Sequence, residues 1–334
     1  MSDDRIESAV LRVRNRLATG GYGACAELAA ATLSHAPAEA TATASATAAL
    51  RTAQIQAAIG AGADAVLRVA HERVDAAAVG PDAAAALTAW RAVAQVLADT
   101  PVTASLPSLD SAASVPAAAA AAWATVAYLQ GDEAAAWTLA HAHPKHLECV
   151  SIAIHLLLLR NRLDRATALV DASRSLFDDA TAAQLFETWT QLVAGRRETL
   201  RDASYVYDEL VASNVASPKL LTGKALCRLL AGDRMAAASI LRDARRELMG
   251  PSMAAREEAD LLANAAAVAL IAGHPDAETL EAEGQRVVPD EASALQYEQM
   301  LRQREPTHPY IADLDAKSNA FDRLADRFAA AIPV

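Results

Sequence analysis

Aromatic side chains make up only 4% of this 334-residue chain, and cysteine occurs just three times, at Cys25, Cys149 and Cys227. Three thiols, odd in number and far apart, build no disulfide framework and read as reduced, buried residues of a cytosolic protein. A basic patch is also missing. The densest group of cations, Arg242, Arg245 and Arg246, reads as one solvated helix face in a chain with 41 acidic and 30 basic residues and a net charge of −11. That balance argues against nucleic-acid binding, which needs cations to displace counterions from phosphates, and against unaided docking on anionic lipid. The longest apolar run, 116–129, falls well short of the roughly 20 residues a spanning helix needs. The charged N-terminus lacks the apolar centre of a signal peptide.

Chemistry-bearing motifs are as scarce. No Gly-x-Ser-x-Gly elbow and no dinucleotide fingerprint occurs. Three constellations invite a functional reading, and each has a plainer one. His141, His143, His146 and Cys149 fall within nine residues, but zinc requires tetrahedral convergence. Pro144 marks a break among them, and histidines near a helix end favourably meet its free carbonyls. Gly20, Gly21 and Gly23 could suggest a phosphate loop, but no strand precedes them and no Gly-Lys-Ser/Thr follows. His71-Glu72-Arg73-Val74-Asp75 lacks the second histidine of a zinc-protease helix and reads as an exposed helix face.

What the chain has instead is alanine. Hydrophobic residues make up 53% of it, and the surplus is the residue with the best helix propensity. Alanine buries little area, so a core built from it works by letting helices approach closely, which suits stacked helix pairs better than a sandwich or barrel. A helix-turn-helix unit recurs. The clearest copy places Val150, Ala153, Ile154 and Leu157 on one stripe, turns at Arg160-Asn161-Arg162, and resumes with Leu163, Ala166 and Val170. Similar turns begin at Gly20, Gly60, Gly131 and Gly232, with a looser version from Gly195 to Ala203 carrying about three extra residues. The small residue after each turn falls at 25, 65, 136, 166, 203 and 237, with gaps of 40, 71, 30, 37 and 34. The tetratricopeptide period is 34 residues, so the long gap hides a degenerate turn within 99–116, where Pro101, Pro107 and Pro116 predict a long loop.

The fold expected is therefore all-α, a tetratricopeptide-like solenoid of antiparallel helix pairs. It divides into repeats over 1–98, a proline-rich loop over 99–116, and further repeats with a C-terminal helix over 117–334. Helices are predicted near 120–129, 147–159, 163–174, 181–194, 200–212, 219–230 and 235–247, with at least two-thirds of the chain helical. Leu185, Trp189 and Leu192 form one stripe with Trp189 buried, and Ala166 marks a helix crossing. An Ala-rich bundle without repeats is the bland alternative.

Within this scaffold the chain resembles the ε subunit family of the coatomer vesicle coat. The resemblance runs through Val13-Arg14-Asn15, Gly20, Tyr22 and Cys25, then Leu147-Glu148-Cys149 and Arg162-Leu163-Asp164. It continues through Asp178-Asp179-Ala180-Thr181, Leu200-Arg201-Asp202-Ala203 with Tyr205 and Tyr207, and Gly223, Ala225 and Cys227. Its most specific part is His308-Pro309-Tyr310-Ile311 through Ala316-Lys317 to Phe321-Asp322-Arg323-Leu324. The Thr/Ala tract at 37–49 and the segment 99–116 depart from the family pattern.

The resemblance implies a non-enzymatic scaffold without cofactor or metal. It would be cytoplasmic and would reach Golgi membranes and coated vesicles only through other coatomer subunits. It would bind and stabilise the C-terminal domain of the coatomer α subunit in Golgi-to-ER retrograde transport. The positions expected to face inward and meet that partner are Tyr128, Ser151, His155 and Leu158. Two other readings stay open from sequence: an unrelated tetratricopeptide adaptor capturing a peptide tail, and an enzyme with scattered active-site residues. A tail clamp needs a cationic lining, whereas Glu148, Ser151, His155 and Leu158 offer none.

Overall fold

The computed structural model describes residues 3–20, 22–34, 41–61, 80–177, 180–213, 216–248, 255–272 and 291–331. Helices account for most of the described residues, which contain no strand. In chain order the described α-helices are α1 (Asp3–Thr19), α2 (Tyr22–Ser34), α3 (Thr41–Ala61), α4 (Pro81–Leu97) and α5 (Ala117–Leu129). Then come α6 (Glu133–His141), α7 (Leu147–Leu159), α8 (Leu163–Ser173), α9 (Thr181–Ala194) and α10 (Arg197–Ser213). They end with α11 (Pro218–Leu230), α12 (Arg234–Leu248), α13 (Ala255–Ala272), α14 (Glu291–Arg304) and α15 (Pro309–Ala331). The turn expected at 60–65 and the His71–Asp75 segment lie mostly or wholly outside the described residues.

The repeat has a backbone cause. At Gly131, Asn161 and Gly232 the chain turns left-handed, with φ of 83°, 53° and 94°. Each turn closes with the same bonds. The amide of Asp132 donates to the Ala127 carbonyl at 2.9 Å, that of Arg162 to Leu157 at 2.8 Å, and that of Asp233 to Arg228 at 2.9 Å. A second, shorter loop bond precedes each one, such as Asn161 to Leu158 at 2.9 Å. This pairing satisfies the last carbonyls of one helix and reverses the chain within three residues. Glycine adopts that φ without cost, and asparagine is the side-chain residue that tolerates it best. At two of the three turns the next residue caps the following helix: Asp132 accepts from the Ala135 amide and Asp233 from the Ala236 amide.

The small residue five positions after each turn sits where the paired helices touch. Cys25, Ala136, Ala166 and Ala237 are completely enclosed, as is Ala203 in its longer unit. The carbonyl-closing turn recurs at Asp99 (φ 52°), where the amide of Thr100 donates to the Gln95 carbonyl at 3.0 Å. Here no α-helix follows at once. The chain runs extended, held by Gln95 and Thr103, then makes a 3₁₀ turn over Leu109–Ser114 and enters α5 behind Pro116.

Packing depends on alanine and on two aromatic-over-glycine contacts. Ala86, Ala89 and Ala92 of α4 meet Ala119, Ala122 and Trp123 of α5 in one core cluster that extends to Leu139 of α6 and Ala153 of α7. Tyr207 of α10 packs against Gly223 of α11, where a Cβ would stand only 2.3 Å from the ring, and Tyr22 does the same at Gly60, at 2.5 Å. At the C-terminus, the ring of His308 accepts the Tyr310 amide at Nδ1 (3.2 Å), so its proton sits on Nε2 and donates to Asp260 of α13 at 3.0 Å. The His308-Pro309-Tyr310-Ile311 stretch is thus a start signal for α15 and a tie to α13, with Ile311 buried in the terminal core cluster.

Two expectations need correction. Trp189 is only half-buried: with Leu192 it flanks the core cluster around Leu185, and it also packs against the cluster around Phe186. The extra residues after Gly195 do not lengthen the turn, because α10 begins at Arg197. They add a helical turn that the other repeats lack.

Gly223 offers a test in which the usual sign reverses. Glycine to alanine inside a helix ordinarily stabilises by about 1 kcal/mol. Gly223→Ala should instead destabilise by about 1–3 kcal/mol, the cost of overpacking. In a Tyr207→Ala background the same change should stabilise. Urea melts of the four proteins decide the matter, and a stabilising Gly223→Ala in the wild-type background would refute the contact.

Candidate partner-binding surface

Helical spacing puts the residues expected to face inward on one stripe of the first helix of a pair. On α5 this runs Ala118, Ala121, Thr125, Tyr128, and on α7 it runs Glu148, Ser151, His155, Leu158. Of the four expected partner residues, the structure brings two into direct contact. The Tyr128 and His155 rings meet edge to face, 5.9 Å between centroids and 82° between planes. His155 is exposed on its outer side, but the protein packed around its ring lowers its pKa, which favours the neutral form at pH 7. Ser151 and Leu158 are more committed to the fold. The Ser151 hydroxyl donates to its own helix at Leu147 O (2.9 Å), and Leu158 packs against the cluster of Val150, Ile154, Val170 and Phe186.

The opposite ends of the two stripes border a cavity of about 570 Å³, a size typical of ligand pockets. Ala118, Ala121 and Glu148 line it from the repeats named above. Arg14 of α1, Gln56 of α3 and Trp90 of α4 complete it. Sequence reasoning missed these last three because no spacing along the chain connects them to α5 and α7. Arg14 arrives because the N-terminal hairpin packs against later helices, and Gln56 and Trp90 arrive as α3 packs on α4 and α4 on α5.

The return contact is specific. The Ser217 hydroxyl donates to the Thr19 carbonyl, and Lys219 Nζ donates to the Ala18 carbonyl at 2.9 Å, so the first turn of α11 satisfies the free end of α1. The same ammonium lies 5.8 Å over the Trp189 ring, and the protein around it lowers its pKa although the residue as a whole stays exposed. Gly20 makes this approach geometrically possible. Its φ is +87°, and a Cβ there would stand 2.7 Å from Lys219 Cβ.

The four grouped zinc-type side chains turn to four different partners. His141 stacks on Trp137 at 4.9 Å, His143 reaches the Ala112 carbonyl at 3.3 Å, His146 meets Glu148 at 3.3 Å, and Cys149 donates to the Ala117 carbonyl at 3.4 Å. Burial pushes the three thiols up, Cys149 to about 12 and Cys25 and Cys227 to about 11, which keeps them protonated and unreactive at neutral pH.

A second surface went unread at the C-terminus. After its first turns α15 leaves the body of the protein, and Phe321, Leu324 and Phe328 form a stripe along it that is 70%, 49% and 69% exposed. Their spacing of three and four was visible in the sequence, but their exposure was not. Among the described residues, no helix is long and apolar enough to cross a membrane.

The family model described as coatomer epsilon subunit matches residues 63–329. Coatomer subunit epsilon-2 of Oryza sativa subsp. indica is 25% identical over 177 residues, 53% of this chain and 51% of that protein. Coatomer subunit epsilon of Dictyostelium discoideum is 33% identical over 85 residues, 25% of this chain and 28% of that protein. The probable coatomer subunit epsilon of Schizosaccharomyces pombe is 28% identical over 81 residues, 24% of this chain and 28% of that protein. The chain thus spans about half the length of the rice relative it matches, and less of the other two.

Gly20→Ala should undock the N-terminal hairpin. A left-handed alanine costs roughly 1–2 kcal/mol, and the new methyl group displaces Lys219. Hydrogen exchange should speed up across α1 and α2 while protection in α5–α8 stays as it is. Unchanged exchange in α1 would show that the hairpin is held by other contacts.

Proposed function

This chain belongs to the coatomer epsilon subunit family, and from that premise we propose that it is a non-enzymatic scaffold subunit of the coatomer coat. Its partner in this reading is the C-terminal domain of the coatomer α subunit, and its setting is Golgi-to-ER retrograde transport. It is cytoplasmic and meets Golgi membranes through other coatomer subunits. The observation that carries the proposal is apolar surface left without cover. The stripe of Phe321, Leu324 and Phe328 is a contiguous apolar patch of the kind that marks an interaction site. The inward face at Tyr128 and His155 is aromatic and uncharged, with Ser151 and Leu158 beside it. Surfaces of this composition suit a large, permanent partner, whereas readers of peptide tails need cationic linings.

Co-expression with that C-terminal domain of the α subunit, followed by gel filtration at low and high ionic strength, tests the reading. The two chains should co-elute under both conditions, because an apolar interface burying over roughly 2,000 Å² is little affected by screening. Phe321→Asp combined with Phe328→Asp should weaken the complex while leaving the melt of the isolated chain unchanged. Dissociation at modest salt would mean that rim charges hold the partner. Failure to co-elute in any buffer would remove the α subunit as the partner and restore the peptide-tail adaptor.

A further inference from the structure

The extra helical turn at the start of α10 builds a second recess, about 540 Å³ in volume, against the far end of α11. Arg197, Arg201 and Ser204 follow one another along α10 at spacings of four and three, so their side chains share a face. Arg228 enters from α11, and the Tyr205 ring stands exposed at the mouth. Three guanidinium groups thus converge on one recess in a protein of net charge −11. Among the described residues no carboxylate holds Arg197 or Arg201. Arg228 reaches Asp208 only at 3.8 Å, and that carboxylate is already engaged by Lys224 at 2.7 Å. Glu198 is the one acidic residue on the lining.

The floor carries an independent sign of a missing ligand. Ser204 is 8% exposed, and among the described residues its hydroxyl has no hydrogen-bond partner. A helical serine ordinarily turns to the carbonyl four residues back, and a buried hydroxyl left unpaired costs about 1–3 kcal/mol. Ser204 belongs to the wall of the recess beneath the arginines, with its hydroxyl closed off from solvent, so a bound acceptor would reach it only as the side chain turns toward the recess.

We propose that this recess binds a phosphorylated side chain of a partner protein. A phosphomonoester carries close to two negative charges at neutral pH and three acceptor oxygens. It can therefore take planar, two-pronged contacts from Arg201 and Arg228, a further contact from Arg197, and the Ser204 hydroxyl bond. A carboxylate offers half that charge and fewer oxygens. A peptide fits the site better than a membrane surface. The unpaired hydroxyl lies at the bottom of a recess, and the protein around it is acidic, which opposes a flat anionic bilayer. The open Tyr205 ring gives the peptide backbone an apolar surface beside the phosphate.

The probe is acetyl-Ala-Ala-phosphoserine-Ala-Ala-amide, titrated calorimetrically into the full-length chain. Its unphosphorylated twin and phosphatidylcholine vesicles carrying a phosphoinositide are titrated in parallel. Saturable binding of the phosphopeptide alone is expected. Affinity should fall as pH drops below about 6, where phosphate loses its second charge. Arg201→Gln and Arg228→Gln should each weaken it about tenfold or more, the scale of a lost charged hydrogen bond. Arg201→Lys should fall between the two, and Arg246→Gln on α12 should change nothing. Thermal melts verify that each variant is folded. Equal binding of both peptides, or full affinity in the arginine variants, overturns the proposal. So does binding of the vesicles, with the same arginine dependence, in place of the peptide.

Discussion

Everything in this solenoid depends on a left-handed residue at the end of one helix followed, five positions on, by a side chain small enough to be fully enclosed. The turn directs the backbone into an antiparallel return, and the small residue lets the two axes come close. Neither works alone. A helix hairpin with a bulky residue at Ala166 would splay, and an alanine without the Asn161 turn would have no partner helix to meet. Each turn also satisfies carbonyls that its helix would otherwise leave free. This is why a chain with few aromatics can hold a core: it gains contact through closeness of backbones rather than through area per side chain.

The same closeness explains where aromatic residues do occur. Tyr22 and Tyr207 each lie on a glycine of a neighbouring helix, Gly60 and Gly223, so a large ring occupies space that alanine packing leaves open. Trp189 is a different case. It fills the seam between successive repeats and lies half-buried beneath the Lys219 ammonium, at the place where α1 returns to the solenoid. The contact between Ala18, Thr19, Ser217 and Lys219 joins residues some two hundred positions apart. It converts an open array into one whose N-terminal hairpin borders the inward face, leaving Tyr128 and His155 at the end away from the cavity.

Much of this was legible beforehand because its causes are local. Turn glycines, the 34-residue period and stripes at three-four spacing each depend on a few neighbouring residues, and helices such as α7, α9 and α11 begin and end within a residue or so of their predicted bounds. Misreadings arose where a distant element intervened. The residues after Gly195 looked like a loose loop, because loop and extra helical turn share one composition and only the placement of α11 against α10 distinguishes them. Ser151 and Leu158 share a stripe with His155 by their spacing, but whether a stripe residue meets solvent, its own backbone or the next repeat depends on how far each repeat rotates. The arginine recess is the sharpest case. Arg197 and Arg201 could be paired on paper by their spacing, while Arg228 and the unpaired Ser204 hydroxyl could not.

By itself, then, the sequence determined the all-α class, the repeat and its register, and the resemblance to the coatomer epsilon family, since those rest on backbone preferences and on residue order. Only the tertiary structure decided that the N-terminal hairpin returns to α9 and α11, that α15 departs with its apolar stripe uncovered, and that three arginines share one recess. The physical reason is that each repeat adds a small rotation to the one before. Contacts between neighbouring helices follow from local chemistry, but those between distant repeats depend on the accumulated sum of the rotations, which no single stretch of sequence carries.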